Sequence, residues 1–203
     1  MHVNRIGKTV VFALVGAFLI CVAGCSKGDL STPKGAAKSF ANAIERGDAD
    51  GAKAASTGGD PKTIEGLAKM GGSMKKLRDA AVSKFGEQGK SMAGADGMGD
   101  MSKKVDEATE KIDGDTATLQ SPGKSEPLKL KKVSGEWRVD VSEMFGPAFA
   151  MGAGMFDSMS KAASDTADEI NAGKYKTAAE AQQAFQQKMM GGMMLAPGQK
   201  PGG

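Results

Sequence analysis

Residues 108–119 read Ala108-Thr109-Glu110-Lys111-Ile112-Asp113-Gly114-Asp115-Thr116-Ala117-Thr118-Leu119. Ala108, Glu110 and Ile112 alternate with Thr109 and Lys111. Ala117 and Leu119 continue after Asp113-Gly114, a two-residue hairpin signal. Downstream, Ser121-Pro122-Gly123 turns the chain and Leu128 and Leu130 alternate with Lys129 and Lys131. Ser134-Gly135 makes a third turn, after which Trp137, Val139 and Val141 alternate with Glu136, Arg138 and Asp140. A period of two, with one apolar and one charged face, predicts an antiparallel meander over about 103–142.

Upstream the period is helical. Thr32-Pro33 supplies an N-cap and a first-turn proline, and Ala36, Ala37, Phe40, Ala41 and Ile44 fall on one face before Gly47. Asp48 caps a short second helix, and Gly58-Gly59 breaks it. Asp60-Pro61 starts a third through Ile64, Leu67 and Ala68; the pair Gly71-Gly72 is expected to end it, and Ser73 to restart a helix carrying Leu77, Ala81 and Phe85. Residues 86–100 hold five glycines and read as a loop without a phosphate-binding pattern. Helices over 33–85 must cover the apolar face of the sheet, so the expected fold class is α+β in two layers.

These residues carry a resemblance. The helix at 33–44, the turn Arg46-Gly47-Asp48 with its second Ala-rich helix, and a terminal hairpin with Gly114-Asp115-Thr116-Ala117 and Lys132-Val133-Ser134-Gly135-Glu136-Trp137-Arg138-Val139 resemble the nuclear-transport-factor-2-like (cystatin-like cone) superfamily, in its small bacterial lipoprotein branch. The resemblance covers about 33–142 and implies a curved sheet wrapped around helices and enclosing a pocket. It does not imply one activity, because such folds host isomerases, dehydratases, binding modules and assembly domains. The carboxylate base and Tyr donor of its ketosteroid-isomerase-like members find no clear match: Tyr175 is the one tyrosine and lies outside 33–142, and Asp113, Asp115 and Asp140 fall at turns or on the charged strand face. Trp137 reads as core.

Beyond Ser142, residues 143–190 form an extension. Gly146-Pro147 can start a helix, and Phe149, Met155, Phe156, Met159, Ala163, Ala167 and Ile170 give it an apolar face that ends at Asn171 to Gly173. Thr177-x-x-Glu180 is a capping box for a last helix with Ala181, Ala184, Phe185 and Met189. The two helices are expected to dock on the sheet domain, and residues 191–203 to fray into a disordered tail. Met151, Met155 and Met159 share a helical face. Without a supporting His or Cys they read as core filler and not as a copper site.

The amino-terminal end decides location. Arg5 and Lys8 precede an apolar stretch from Val10 to Val22, too short to span a bilayer. Val22-Ala23-Gly24-Cys25 resembles a bacterial lipobox, so 1–24 is expected to be a lipoprotein signal peptide. Cys25 is then the lipidation site, and 25–32 a polar tether. In proteins of that kind the cysteine thiol is diacylated, and Ser26 after it favours the outer membrane, facing the periplasm.

Cleavage before Cys25 leaves 25 basic against 24 acidic residues, a net charge of +1, so nucleic acid is not an implied partner. It also removes His2, the single histidine, and Cys21. The mature chain therefore has no Ser-His-Asp triad, Cys-His dyad, His/Cys zinc site or internal disulfide. No catalytic residue, cofactor site or metal site is assigned. The expected function is a non-enzymatic, lipid-anchored cell-envelope protein that meets the membrane through its N-terminal lipid and binds a small apolar ligand or an envelope protein. A structural or assembly role through the C-terminal helices is the alternative, and an enzyme with a buried carboxylate comes third.

Overall fold

The computed structural model describes residues 28–92, 101–123, 126–142 and 152–194. The fold is α+β. Helix α1 spans Pro33–Arg46, α2 Ala49–Ala54, α3 Pro61–Phe85, α4 Glu87–Lys90, α5 Met101–Glu107, α6 Gly152–Asn171 and α7 Ala178–Met194. Strands β1 Ser56–Thr57, β2 Thr109–Asp113, β3 Thr116–Gln120, β4 Leu128–Val133 and β5 Glu136–Asp140 form one open sheet in the order β1-β5-β4-β3-β2.

The meander β2 to β5 is antiparallel throughout, as the alternation predicts. Asp113 pairs with Thr116 around Gly114, and Val133 with Glu136 around Ser134-Gly135, where both turn residues take positive φ (53° and 87°). Two residues in the left-handed region match the twist of the flanking strands. The sheet is mixed, however, because β1 lies parallel to β5, with Ser56 opposite Val139 and Thr57 opposite Asp140.

Helix α1 starts as read: Thr32 Oγ1 accepts from the Gly35 N–H at 3.0 Å, and Asp48 caps α2 through the Gly51 N–H at 2.9 Å. One face of α1 meets the sheet. Ala36, Ala37, Phe40 and Ile44 pack with Leu119, Leu130, Trp137 and Val139, all buried, so the space between helix and sheet is filled by side chains. Trp137 is 5% exposed and faces this core with Val139 and Val141.

Several expectations are corrected. Residues 101–107 are helix α5 and not strand; Lys34 reaches its end at the Asp106 carbonyl, 2.9 Å away, and Ser102 donates to Asn42. Strand β2 is exposed along its whole length, Ile112 included at 52%, because it is the sheet's outer strand and lies beyond the helices. Within 86–100, residues 87–90 form α4, and 93–100 lie outside the described residues. Most important, α3 runs unbroken through Gly71-Gly72 for 25 residues. These glycines are packing positions: a Cβ on Gly71 would come within 2.2 Å of the Ile44 carbonyl oxygen, and one on Gly72 within 2.9 Å of the Gly47 Cα. Absent side chains let α1 and α3 cross backbone to backbone. The helix-breaking tendency of glycine, about 1 kcal/mol against Ala, is outweighed by that contact.

The extension forms two helices and docks on the domain as expected: α6 lies along α3, and α7 packs on α6. Leu77, Ala80 and Ala81 of α3 pack with Ala163, Ala167 and Ile170 of α6 and Ala181 and Phe185 of α7 in a second core. Phe156 joins the first core and lies against Gly66. Ser73 and Ser160 hydroxyls meet at 2.8 Å across the α3–α6 contact. One half of the expected capping box forms, Thr177 accepting from the Glu180 N–H (3.2 Å), while Glu180 reaches one residue further back, to the Lys176 N–H (2.8 Å). Helix α7 continues through Gly191 and Gly192 to Met194, so the expected tail does not begin at 191. Phe149 and Met151 lie outside the described residues.

Candidate functional site

The lipobox residues Val22, Ala23 and Gly24 and the lipidation residue Cys25 lie outside the described residues. The chain that follows is described from Gly28 and is docked. The expected tether is thus corrected over 28–32. Leu30 packs against the first core, and its carbonyl accepts from the Trp137 N–H at 2.8 Å, extending the line of bonds that β1 makes along β5. The Asp29 carboxylate accepts from the Ser31 N–H and hydroxyl at 2.9 and 2.6 Å, which closes a tight local turn.

Among the three strand and turn acids, Asp113 and Asp115 are exposed at the β2–β3 turn, as read. Asp140 departs from its reading. It sits on the outer sheet face at the end of β5, yet is 1% exposed. The cause is β1 and the turn after it: Gly58, at φ 76°, lies so close that a Cβ would stand 2.7 Å from Asp140 Oδ1. Ser142 donates to Oδ1 from its hydroxyl (2.6 Å) and its N–H (3.2 Å), and the half-exposed Lys131 ammonium stands 2.6 Å from Oδ2 in an ionic contact. Burial pushes the carboxyl up, but Lys131 and Ser142 outweigh it and hold it below its ordinary 3.8. An ionised acid bonded through Oδ1 to Ser142 and paired through Oδ2 with Lys131 suits fastening the β1–β5 end better than moving a proton. The sequence signal for it was Gly58-Gly59 together with Asp140-x-Ser142.

A second charged group joins α6 to α7. Glu169 accepts from Lys174 (2.6 Å), from Lys188 and from the Tyr175 hydroxyl. Lys174, Lys188 and Tyr175 together hold its carboxyl at about 2, and burial with the neighbouring carboxylate pushes the Tyr175 hydroxyl up to about 12. Tyr175 is a locked donor inside the helix pair, far in sequence from the sheet acids.

An open groove of about 440 Å³ runs beside α3 and the end of α6, lined by Gly72, Lys75, Lys76, Asp79, Ser83 and Asn171. Its lysines are engaged, Lys75 with Asp79 at 2.5 Å and Lys76 with Asp168 at 2.8 Å. Asp140 and Glu169 are not among its lining residues. Among the described residues no group of three or more His, Cys, Asp or Glu could hold a metal ion, and no helix is long and apolar enough to cross a membrane. Met155 and Met190 are exposed, at 47% and 57%. Comparison with family models, with curated proteins and with solved structures finds no match to this chain.

Proposed function

We propose that this chain is a lipid-anchored protein of the bacterial cell envelope, held by acylated Cys25 at the outer membrane and facing the periplasm. Its domain is a non-enzymatic binding module, a small relative of the nuclear-transport-factor-2-like cone. The signal-like residues 1–24 and Val22-Ala23-Gly24-Cys25 support the anchor. The observation that carries the non-enzymatic reading is the state of Asp140. This buried acid is ionised, paired with Lys131 and bonded to Ser142, and it is not part of the groove. The side chains of Phe40, Ile44, Leu119, Leu130 and Trp137 fill the interior where a cone-like pocket would lie, which favours a protein over a small apolar ligand.

One observation favours a structural or assembly role through the C-terminal helices. Gly192 packs beside Ser158, which brings the end of α7 to the start of α6, and exposed Met155 and Met190 are carried by those two helices. Flexible thioethers suit an adaptable contact surface.

The test is recovery of the acylated mature protein from detergent-solubilised envelope, with mass spectrometry of co-purifying proteins and small molecules. A stoichiometric envelope protein, lost when Met155 and Met190 are changed to Lys, places the contact on α6–α7. The same protein retained by that variant supports the sheet domain as the binding module. A stoichiometric small molecule in place of a protein would overturn the preference for a protein partner.

A further inference from the structure

The docked segment 28–32 leaves little free chain between lipid and domain. A Cβ on Gly28 would come within 2.0 Å of Ser39 Oγ, and one on Gly35 within 2.8 Å of the Asp29 carbonyl oxygen, so residues 28 and 29 lie directly on α1. Ser39 Oγ bonds to the Asp29 carbonyl at 3.3 Å, and Leu30 is fixed to Trp137. Only three residue steps separate Cys25 from Gly28, about 11 Å at full extension. Eight free residues would instead reach about 28 Å. Along α1, Arg46 lies on the same side as Ser39 and is exposed, 3.9 Å from the Asp48 carboxylate, while Asn42 between them is held by Ser102 of α5. Arg46 lies about 10 Å from Ser39 along the axis.

We infer that the side of the domain where residues 28 and 29 lie on α1 faces the lipid headgroups, with the domain held close to the bilayer by the short chain that links it to Cys25. This rests on the proposed acylation of Cys25. The partner is a lipid surface, set against this side by the shortness of the chain from Cys25 to Gly28, while the β2 edge lies three strands away from β5.

The experiment uses the full mature acylated chain in vesicles of phosphatidylethanolamine and phosphatidylglycerol containing a nitroxide-headgroup lipid. Signal cleavage removes Cys21 and acylation blocks Cys25, so Arg46→Cys or Lys111→Cys introduces a sole thiol for a bimane label. Quenching should be several-fold stronger at 46 than at 111. Ten Gly-Ser residues inserted between Lys27 and Gly28 should abolish that difference. Gly35→Ala, which pushes Asp29 off the helix, should reduce it. Equal quenching at both positions in the acylated, uninserted chain would overturn this inference and leave the anchor standing. A chain whose mass shows no acyl group would overturn both.

Discussion

Gly71 of α3 rests on the backbone of Ile44 in α1, so close that a methyl group there would stand 2.2 Å from the Ile44 carbonyl oxygen. Gly66, one and a half turns earlier in the same helix, faces Phe156 with room for a Cβ at 3.4 Å. The two glycines therefore predict opposite outcomes. Gly71→Ala should destabilise the fold by about 1–3 kcal/mol through overpacking against rigid backbone. Gly66→Ala should be neutral or stabilise by up to about 1 kcal/mol through helix propensity. Urea unfolding of both variants checks this, and equal effects would contradict the helix crossing.

Trp137 anchors the sheet side of the first core, 5% exposed, with its N–H bonded to Leu30 and its ring near the Lys132 ammonium, 5.7 Å from the centroid. Trp137→Ala should cost about 3–5 kcal/mol. In the unchanged protein the indole should emit at short wavelength and resist aqueous quenchers until the chain unfolds. Emission typical of water from the folded protein would contradict the packing.

Acid should loosen the helix pair. Lys174, Lys188 and Tyr175 hold the Glu169 carboxyl at about 2, against an ordinary 4.5. A carboxyl lowered on folding stabilises the fold above its unfolded value, and that stabilisation is lost as pH falls from about 4.5 to about 2. Glu169 is 27% exposed, so screening reduces the effect to about 1–2 kcal/mol. Glu169→Gln should be less stable than the unchanged protein by that amount at pH 7 and nearly equal to it near pH 2. Asp140 is also lowered, by Lys131 and Ser142 against the opposing effect of burial, so Asp140→Asn should show the same sign. Stability gaps that widen toward acid would contradict both assignments.

Much of this fold is written in local pattern. Alternation around Trp137, Val139 and Val141, the Asp113-Gly114 and Ser134-Gly135 turns, and the Thr32, Asp48 and Thr177 caps each act over a few residues, and each is present. What local pattern did not reveal depends on contacts between distant segments. Gly71-Gly72 resembles a helix break until Ile44 and Gly47 are seen against it. Ser56-Thr57 is too short to show a period, and becomes strand only because β5 offers it an edge. Asp140 sits at a charged-face position and is buried by Gly58 and Lys131, which lie 82 and 9 residues away in sequence. The segment 28–32 is polar enough to read as tether, and is held by Ser39 and Trp137. The proposed anchor, by contrast, rests on Val22-Ala23-Gly24-Cys25 alone.

That anchor is tested most directly by intact-mass and N-terminal peptide mass spectrometry of the protein isolated from bacterial envelope. The account predicts a chain that begins at Cys25 and carries a diacylglyceryl thioether on it, with acylation abolished in Cys25→Ala. A mature chain with a free Cys25 thiol, or one that keeps residues 1–24, would contradict it.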